Sequence, residues 1–248
     1  MKSGIKTSEA VKETYSDNDT WETITSAYTS GNAVTSKTRS IVITDPVQYA
    51  VARLDVTLKA SSTLVDRNNT YIDLTNGSTQ VFPITAIIVG GQKPVDYKFE
   101  QTDGTAYTVY DTQVADDGIR YLNTTATSAI HTLLLETNDA ASDDDTNADV
   151  QIAVELQNNG TQTIVGYNGQ LILPGTKFYL IGKIHPWKDG QTIKKAFKQD
   201  YTTTVNLTVN NLKNARNTMP DLAVPQLDLG VTIDLTWQTG VTHNITID

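Results

Sequence analysis

The stretch LDLGVTIDLTWQTGVTHNITID, residues 227–248, decides the fold. Leu229, Val231, Ile233, Leu235 and Trp237 alternate with Gly230, Thr232, Asp234 and Thr236, the period of a strand with one buried face. The alternation resumes at Val241, His243, Ile245 and Ile247. Two antiparallel strands share a buried face only if opposed residues both point inward, so the loop between them sets the outcome. A two-residue loop at Thr239 and Gly240 would place Trp237 opposite Thr242 and set apolar against polar throughout. A three-residue loop, Gln238-Thr239-Gly240, instead pairs Trp237 with Val241, Leu235 with His243, Ile233 with Ile245 and Val231 with Ile247. It also gives Gly240 the left-handed position that such loops favour. The expected product is a long, one-sided ribbon closing the sequence, and a two-stranded ribbon is not stable alone in water. It requires a sheet to lie on.

Strand signals recur as the reading moves back from that ribbon. Ala52, Leu54, Val56 and Leu58 alternate with Arg53, Asp55 and Thr57, and the outward pair Arg53 and Asp55 reads as solvated surface. The apolar run at 81–89 stops at Gly90-Gly91, which reads as a turn. Residues 107–110, 120–122 and 129–136 are candidate strands, and Val150, Ile152, Val154 and Leu156 alternate before the turn Asn158-Asn159-Gly160. Residues 171–173, a Pro174-Gly175 turn and residues 178–184 read as a hairpin. Val205, Leu207 and Val209 mark a further inward row. Helix signals are confined to 19–28, where Asp19 and Glu22 resemble a capping box, and to 210–218, where Leu212, Ala215 and Met219 share a face before Pro220. Short strands spaced by turns predict an all-β antiparallel sandwich with one or two short helices. Residues 1–40 read as a polar N-terminal segment and residues 41–248 as the sandwich domain, ending in the 227–248 hairpin.

Composition narrows the function. The 248 residues include no cysteine, so neither disulfides nor thiolate metal sites hold the chain together. A net charge of −9 and a pI near 4.7 argue against a nucleic-acid footprint and against anionic membranes. There is no run of 18 apolar residues, and any export signal is expected to lie outside this sequence.

Catalytic and metal-binding signals are absent from the spacing. His131, His185 and His243 stand on separate candidate strands without HxH or HxxxH spacing. The acidic stretch ETNDAASDDDTNAD, residues 136–149, lacks the central Gly and terminal Glu of a calcium loop, and reads as a hairpin tip. There is no GxSxG elbow, no Cys nucleophile and no phosphate-loop spacing around Gly90-Gly91. A non-enzymatic chain without catalytic residues, metal or cofactor is expected.

Several segments together resemble the fimbrillin family, the major pilus subunits of Bacteroidales, and in particular its short-fimbria branch. They are YAVARLDVTL (49–58), FPITAIIVGGQKPVDYKF (82–99), LPGTKFYLIGKI (173–184), FKQDYTTTVNLTV (197–209) and above all LKNARNTMPDLAVPQLDLGVTIDLTW (212–237). The resemblance spans about 41–248 and corresponds to the family's C-terminal domain. It implies a transthyretin-like, Ig-like β-sandwich, export to the outer membrane, protease maturation after an Arg, and polymerisation by strand exchange into a fimbrium that supports adhesion. Arg39, in SKTRSIVIT, is the candidate maturation site, against the plain reading of a linker arginine. The donor-strand candidates are Leu229, Val231, Ile233, Leu235, Trp237, Val241, Ile245 and Ile247. Expected partners are other pilus subunits, in a homopolymer or with tip and anchor subunits, and host glycans or proteins. Outer-membrane association would come through assembly alone. The competing reading is a glycan- or host-protein-binding sandwich in which Trp187, Tyr167 and Tyr179 are stacking residues.

Overall fold

The computed structural model describes residues 51–96, 101–112, 118–142, 145–186, 195–199 and 201–222 in full, together with the backbone of strand segments 13–15, 41–43, 231–238 and 240–247. The chain divides into two compact units, Met1–Ala50 and Val51–Asp248. In the first unit β1 (Glu13–Tyr15) pairs in parallel with β2 (Ile41–Ile43). The expected boundary after residue 40 falls inside this unit, and the expected helix at 19–28 lies outside the described residues.

The second unit is an all-β sandwich. Its strands are β3 (Ala52–Ala60), β4 (Thr75–Asn76), β5 (Thr79–Gln80), β6 (Ile84–Gln92), β7 (Tyr107–Asp111), β8 (Ile130–Leu134), β9 (Val150–Gln157), β10 (Ile164–Val165), β11 (Leu171–Ile172), β12 (Lys177–Ile184), β13 (Thr202–Val209), β14 (Val231–Gln238) and β15 (Gly240–Ile247). One sheet has four strands in the order β12-β9-β6-β7; the other has five, β14-β15-β13-β3-β8. The four-stranded sheet is antiparallel throughout, as the sequence predicts. The five-stranded sheet is mixed, because β13 runs parallel to both β3 and β15. A parallel pair needs a long crossover, and strands from both sheets lie between β3 and β13 in sequence.

Alternation builds the core. Ala52, Leu54, Val56, Leu58 and Ala60 of β3 and Val205, Leu207 and Val209 of β13 are buried, and their polar neighbours are partly or fully exposed. They share one cluster with Ile84, Ile87 and Val89 of β6, Ile152, Val154 and Leu156 of β9, and Phe178, Leu180 and Ile184 of β12. Phe82 and Phe178 meet edge to face with centroids 5.8 Å apart. A second cluster, Ala86, Ile88, Ala153, Tyr179, Ile181 and Leu222, takes the alternate residues of β6, β9 and β12, so these three strands bury side chains on both faces.

Four local expectations are corrected. Gly90 and Gly91 lie within β6 and form a bulge, with Gly91 at φ +69° and the register to β7 shifting between Val89 and Gln92. Gly90 is required by close approach, because a Cβ there would stand 2.2 Å from the Leu222 carbonyl oxygen. Residues 210–218 form turns rather than a helix. Their backbone groups bond outward: Arg216 exchanges N–H and C=O with Tyr179 at 3.0 and 2.8 Å, the Ala215 carbonyl accepts from Tyr167, and the Leu212 N–H donates to Val65. The Asn211 side chain also accepts from the Lys213 N–H, the local competition that disfavours helix. Leu212 and Ala215 are buried as predicted, but Met219 is 46% exposed.

The Pro174-Gly175 turn forms, with Gly175 at φ +82° and the Thr176 N–H donating to Leu173, yet no hairpin results. β11 pairs with β10 whereas β12 pairs with β9. The acidic loop, finally, is a crossover between sheets, because β8 pairs with β3 and β9 with β6 and β12.

Candidate functional site

The candidate assembly element is the β14–β15 hairpin. It pairs Trp237 with Val241, Leu235 with His243, Ile233 with Ile245 and Val231 with Ile247, the register predicted from the odd loop. β15 in turn aligns Val241 with Thr203, His243 with Val205, Ile245 with Leu207 and Ile247 with Val209 of β13. β13 aligns the same four residues with Leu54, Val56, Leu58 and Ala60 of β3. Thr203, Val205, Leu207 and Val209 are all buried. The seven candidates Val231, Ile233, Leu235, Trp237, Val241, Ile245 and Ile247 therefore hold the register positions that continue the inward rows of β3 and β13. Leu229 and the maturation candidate Arg39 lie outside the described residues.

The hairpin is an appended unit. Its ladder to the rest of the sheet is the single β15–β13 pairing, and β14 forms the sheet edge. Backbone atoms of β14 and β15 also come within 8 Å of β12, the edge of the other sheet. That β12 edge is partly closed by the paired hydrogen bonds between Tyr179 and Arg216.

Two of the three aromatic stacking candidates are engaged within the chain. Tyr179 is buried in the outer cluster of the four-stranded sheet. Tyr167 carries the Arg216 guanidinium 4.1 Å from its ring centroid. Trp187 lies outside the described residues. Among the described residues the exposed tyrosines are Tyr71, Tyr107 and Tyr110, none of them a stacking candidate from sequence.

The acids and histidines form ion pairs rather than a cluster. His131 Nδ1 lies 2.7 Å from Asp55 Oδ1, which also takes Arg53 Nε at 2.6 Å. Asp149 pairs with Lys183 at 2.7 Å and His185 at 2.5 Å. Asp145 accepts from the N–H groups of Ala141 and Asn147 and from the Asn147 amide, and these hydrogen bonds hold its pKa below the ordinary carboxylate range. Among the described residues no three His, Cys, Asp or Glu side chains stand together as a metal site.

The polar group that sequence reasoning missed is Glu155, 1% exposed at the centre of the four-stranded sheet's outer face. Its carboxylate accepts from Thr85 Oγ1 at 2.6 Å and Tyr110 Oη at 2.7 Å, and Lys177 Nζ lies at 2.7 Å. Burial alone would push its pKa up; hydrogen bonds from Lys177, Thr85, Tyr110 and Tyr179 outweigh it, and the net direction is down. Burial and Glu155 together push the Tyr179 hydroxyl well above its usual range. The signal available in sequence was weak: alternation marks Glu155 as outward, and the partners that enclose it, Thr85, Tyr110 and Lys177, come from flanking strands far apart in sequence.

No helix among the described residues is long and apolar enough to cross a membrane. No protein-family model, curated protein or solved structure matches the chain.

Proposed function

We propose that this chain is a structural subunit of a cell-surface pilus, of fimbrillin type, that joins its neighbours by strand exchange through the β14–β15 hairpin. The observation that carries the reading is the register continuity of the hairpin's apolar row with the buried rows of β13 and β3. A strand pair attached through one ladder can complete its own sheet or the equivalent edge of a second copy, since main-chain bonds supply affinity and alternate side chains supply register. Each fully buried Val, Ile, Leu or Trp of the row would contribute about 1.5–3 kcal/mol, so an unpartnered row is strongly driven to find a groove. The strand-exchange reading places the subunit at the outer membrane surface, with maturation at Arg39 and adhesion as the consequence of assembly.

Cysteine cross-linking tests it cleanly, because the chain has no cysteine of its own. Thr204 and Thr242 are register partners across β13 and β15. Thr204→Cys and Thr242→Cys proteins, mixed and assembled, should give an interchain disulfide in fibres, visible as a dimer on non-reducing gels. Fibres lacking that cross-link overturn strand exchange at this edge. In the full chain, replacing Val231, Ile233 and Leu235 with Ser should abolish fibres seen by electron microscopy, and wild-type fibres from this protein would equally sink the reading.

A further inference from the structure

We infer that the cleft between the β4–β5 turn and the turn after β9 is a binding site for a single uncharged sugar ring. This inference is independent of the assembly reading. The cleft has a volume of ≈ 220 Å³, smaller than the roughly 300–1,000 Å³ of drug-sized sites and suited to one ring.

Its base is firm. Val81 and Phe82 line it and are each 2% exposed. Asn158, fully buried, donates from Nδ2 to the Gln162 and Ile172 carbonyls and accepts from the Gly160 N–H, fixing the turn after β9. Gln162 then ties the two walls together, accepting from the Asp73 N–H at 3.0 Å and donating to the Tyr71 carbonyl at 3.3 Å. The walls are thus held in place before any ligand arrives, which lowers the cost of binding.

The groups left over match a sugar. Asp73 Oδ1 accepts from the Thr75 N–H and hydroxyl, whereas Oδ2 accepts no hydrogen bond from the described residues. The Asn76 carboxamide and the Thr161 hydroxyl, also lining the cleft, make none with the described residues either. A carboxylate oxygen accepting from one ring hydroxyl, beside a carboxamide and a hydroxyl that both donate and accept, fits adjacent hydroxyls that are themselves donor and acceptor. Tyr71, 56% exposed, lies two residues before Asp73 on the same exposed side of an extended segment. The Asp73 charge and the net charge of −9 select against phosphorylated or acidic sugars.

The test uses the full monomeric chain and saturation-transfer NMR with galactose, mannose, glucose, fucose and N-acetylglucosamine, with glucose 6-phosphate as the charged control. At least one neutral sugar should give a signal at millimolar concentration, and the control should give none. Asp73→Asn should weaken binding by about tenfold or more, as expected for a charge-assisted hydrogen bond, and Asn76→Ala should weaken it severalfold. Because Asp73 also shapes its own turn, Asn76→Ala and Thr161→Val, which remove no internal hydrogen bond, decide the matter if Asp73→Asn fails to fold. Silence from all five neutral sugars, or a signal unchanged in the Asn76 and Thr161 variants, overturns the site. Fibre formation plays no part in the readout, so either proposal can fail alone.

Discussion

The two sheets treat their outer faces in opposite ways. On the four-stranded sheet, Ala86, Ile88, Ala153, Tyr179 and Ile181 are buried together with Leu222. On the five-stranded sheet the corresponding positions of β3, β8 and β13 are Arg53, Asp55, Thr57, Lys59, His131, Leu133, Thr202, Thr204, Asn206 and Thr208, every one exposed or half-buried. The difference lies in a cover. The segment after β13 bonds the free edge of β12 at Arg216 and reaches β6 at Gly90 through Leu222, converting one outer face into a second core. Alternation within a strand reports which residues share a face, but only a segment distant in sequence decides whether the second face meets solvent.

The largest consequence is a contrast between two truncations of similar chemistry. Ile88→Ala removes a fully buried side chain from the outer face of β6 and should cost about 2–5 kcal/mol, read as a lower urea midpoint at unchanged slope. Leu133→Ala removes a side chain 64% exposed on β8 and should stay within about 0.5 kcal/mol. Equal costs at the two sites would break the comparison.

The same contrast explains what could be read in advance. The hairpin register followed from parity, because one loop length alone puts Trp237 beside Val241 and Ile233 beside Ile245. The inward rows of β3, β9 and β13 followed from alternation alone. Strand neighbours did not, since pairing β3 with β13 in parallel depends on contacts far apart in sequence. Gly90 and residues 210–218 were misread, and Glu155 was missed, for one shared reason: on the outer face of the four-stranded sheet, tertiary hydrogen bonds and close approach override local pattern. Asp73, Asn76 and Thr161 carry no motif and become a site only when two distant turns meet.

A smaller effect, with a definite pH signature, is expected at the centre of the covered face. The Glu155 pKa is depressed below its unfolded value, so its stabilisation is present above that value and is lost as pH falls through the folded pKa. Lys177, whose pKa is raised by its hydrogen bond to Glu155, works in the other direction: its contribution is present below the unfolded value and lost as pH rises through the folded one. Glu155→Gln should cost about 1.5–3 kcal/mol at neutral pH, the range for hydrogen bonds to a charged group. It should also flatten the acid limb of stability against pH. An unchanged acid limb, measured by urea unfolding from neutral pH downward, would show that other carboxylates govern acid sensitivity.

The smallest effect is expected on the uncovered face, at the Arg53, Asp55 and His131 group. Asp55 Oδ1 takes Arg53 Nε at 2.6 Å and His131 Nδ1 at 2.7 Å, and Arg53 Nη2 lies 2.8 Å from His131 Nδ1. The contacts are as short as those around Glu155, but His131 Nδ1 cannot both donate to Asp55 and accept from Arg53, so only one of these two contacts is a hydrogen bond; the hydrogen bond to Asp55 raises the Arg53 pKa. Solvent access sets the energy, however: the side chains of Arg53 and His131 are 46% and 41% exposed, so water replaces whatever the pair loses. Asp55→Asn should therefore change stability by about 0–1 kcal/mol, and added salt should shrink even that difference by screening. A loss above about 2 kcal/mol that persisted in high salt would mean that this face behaves like the covered one.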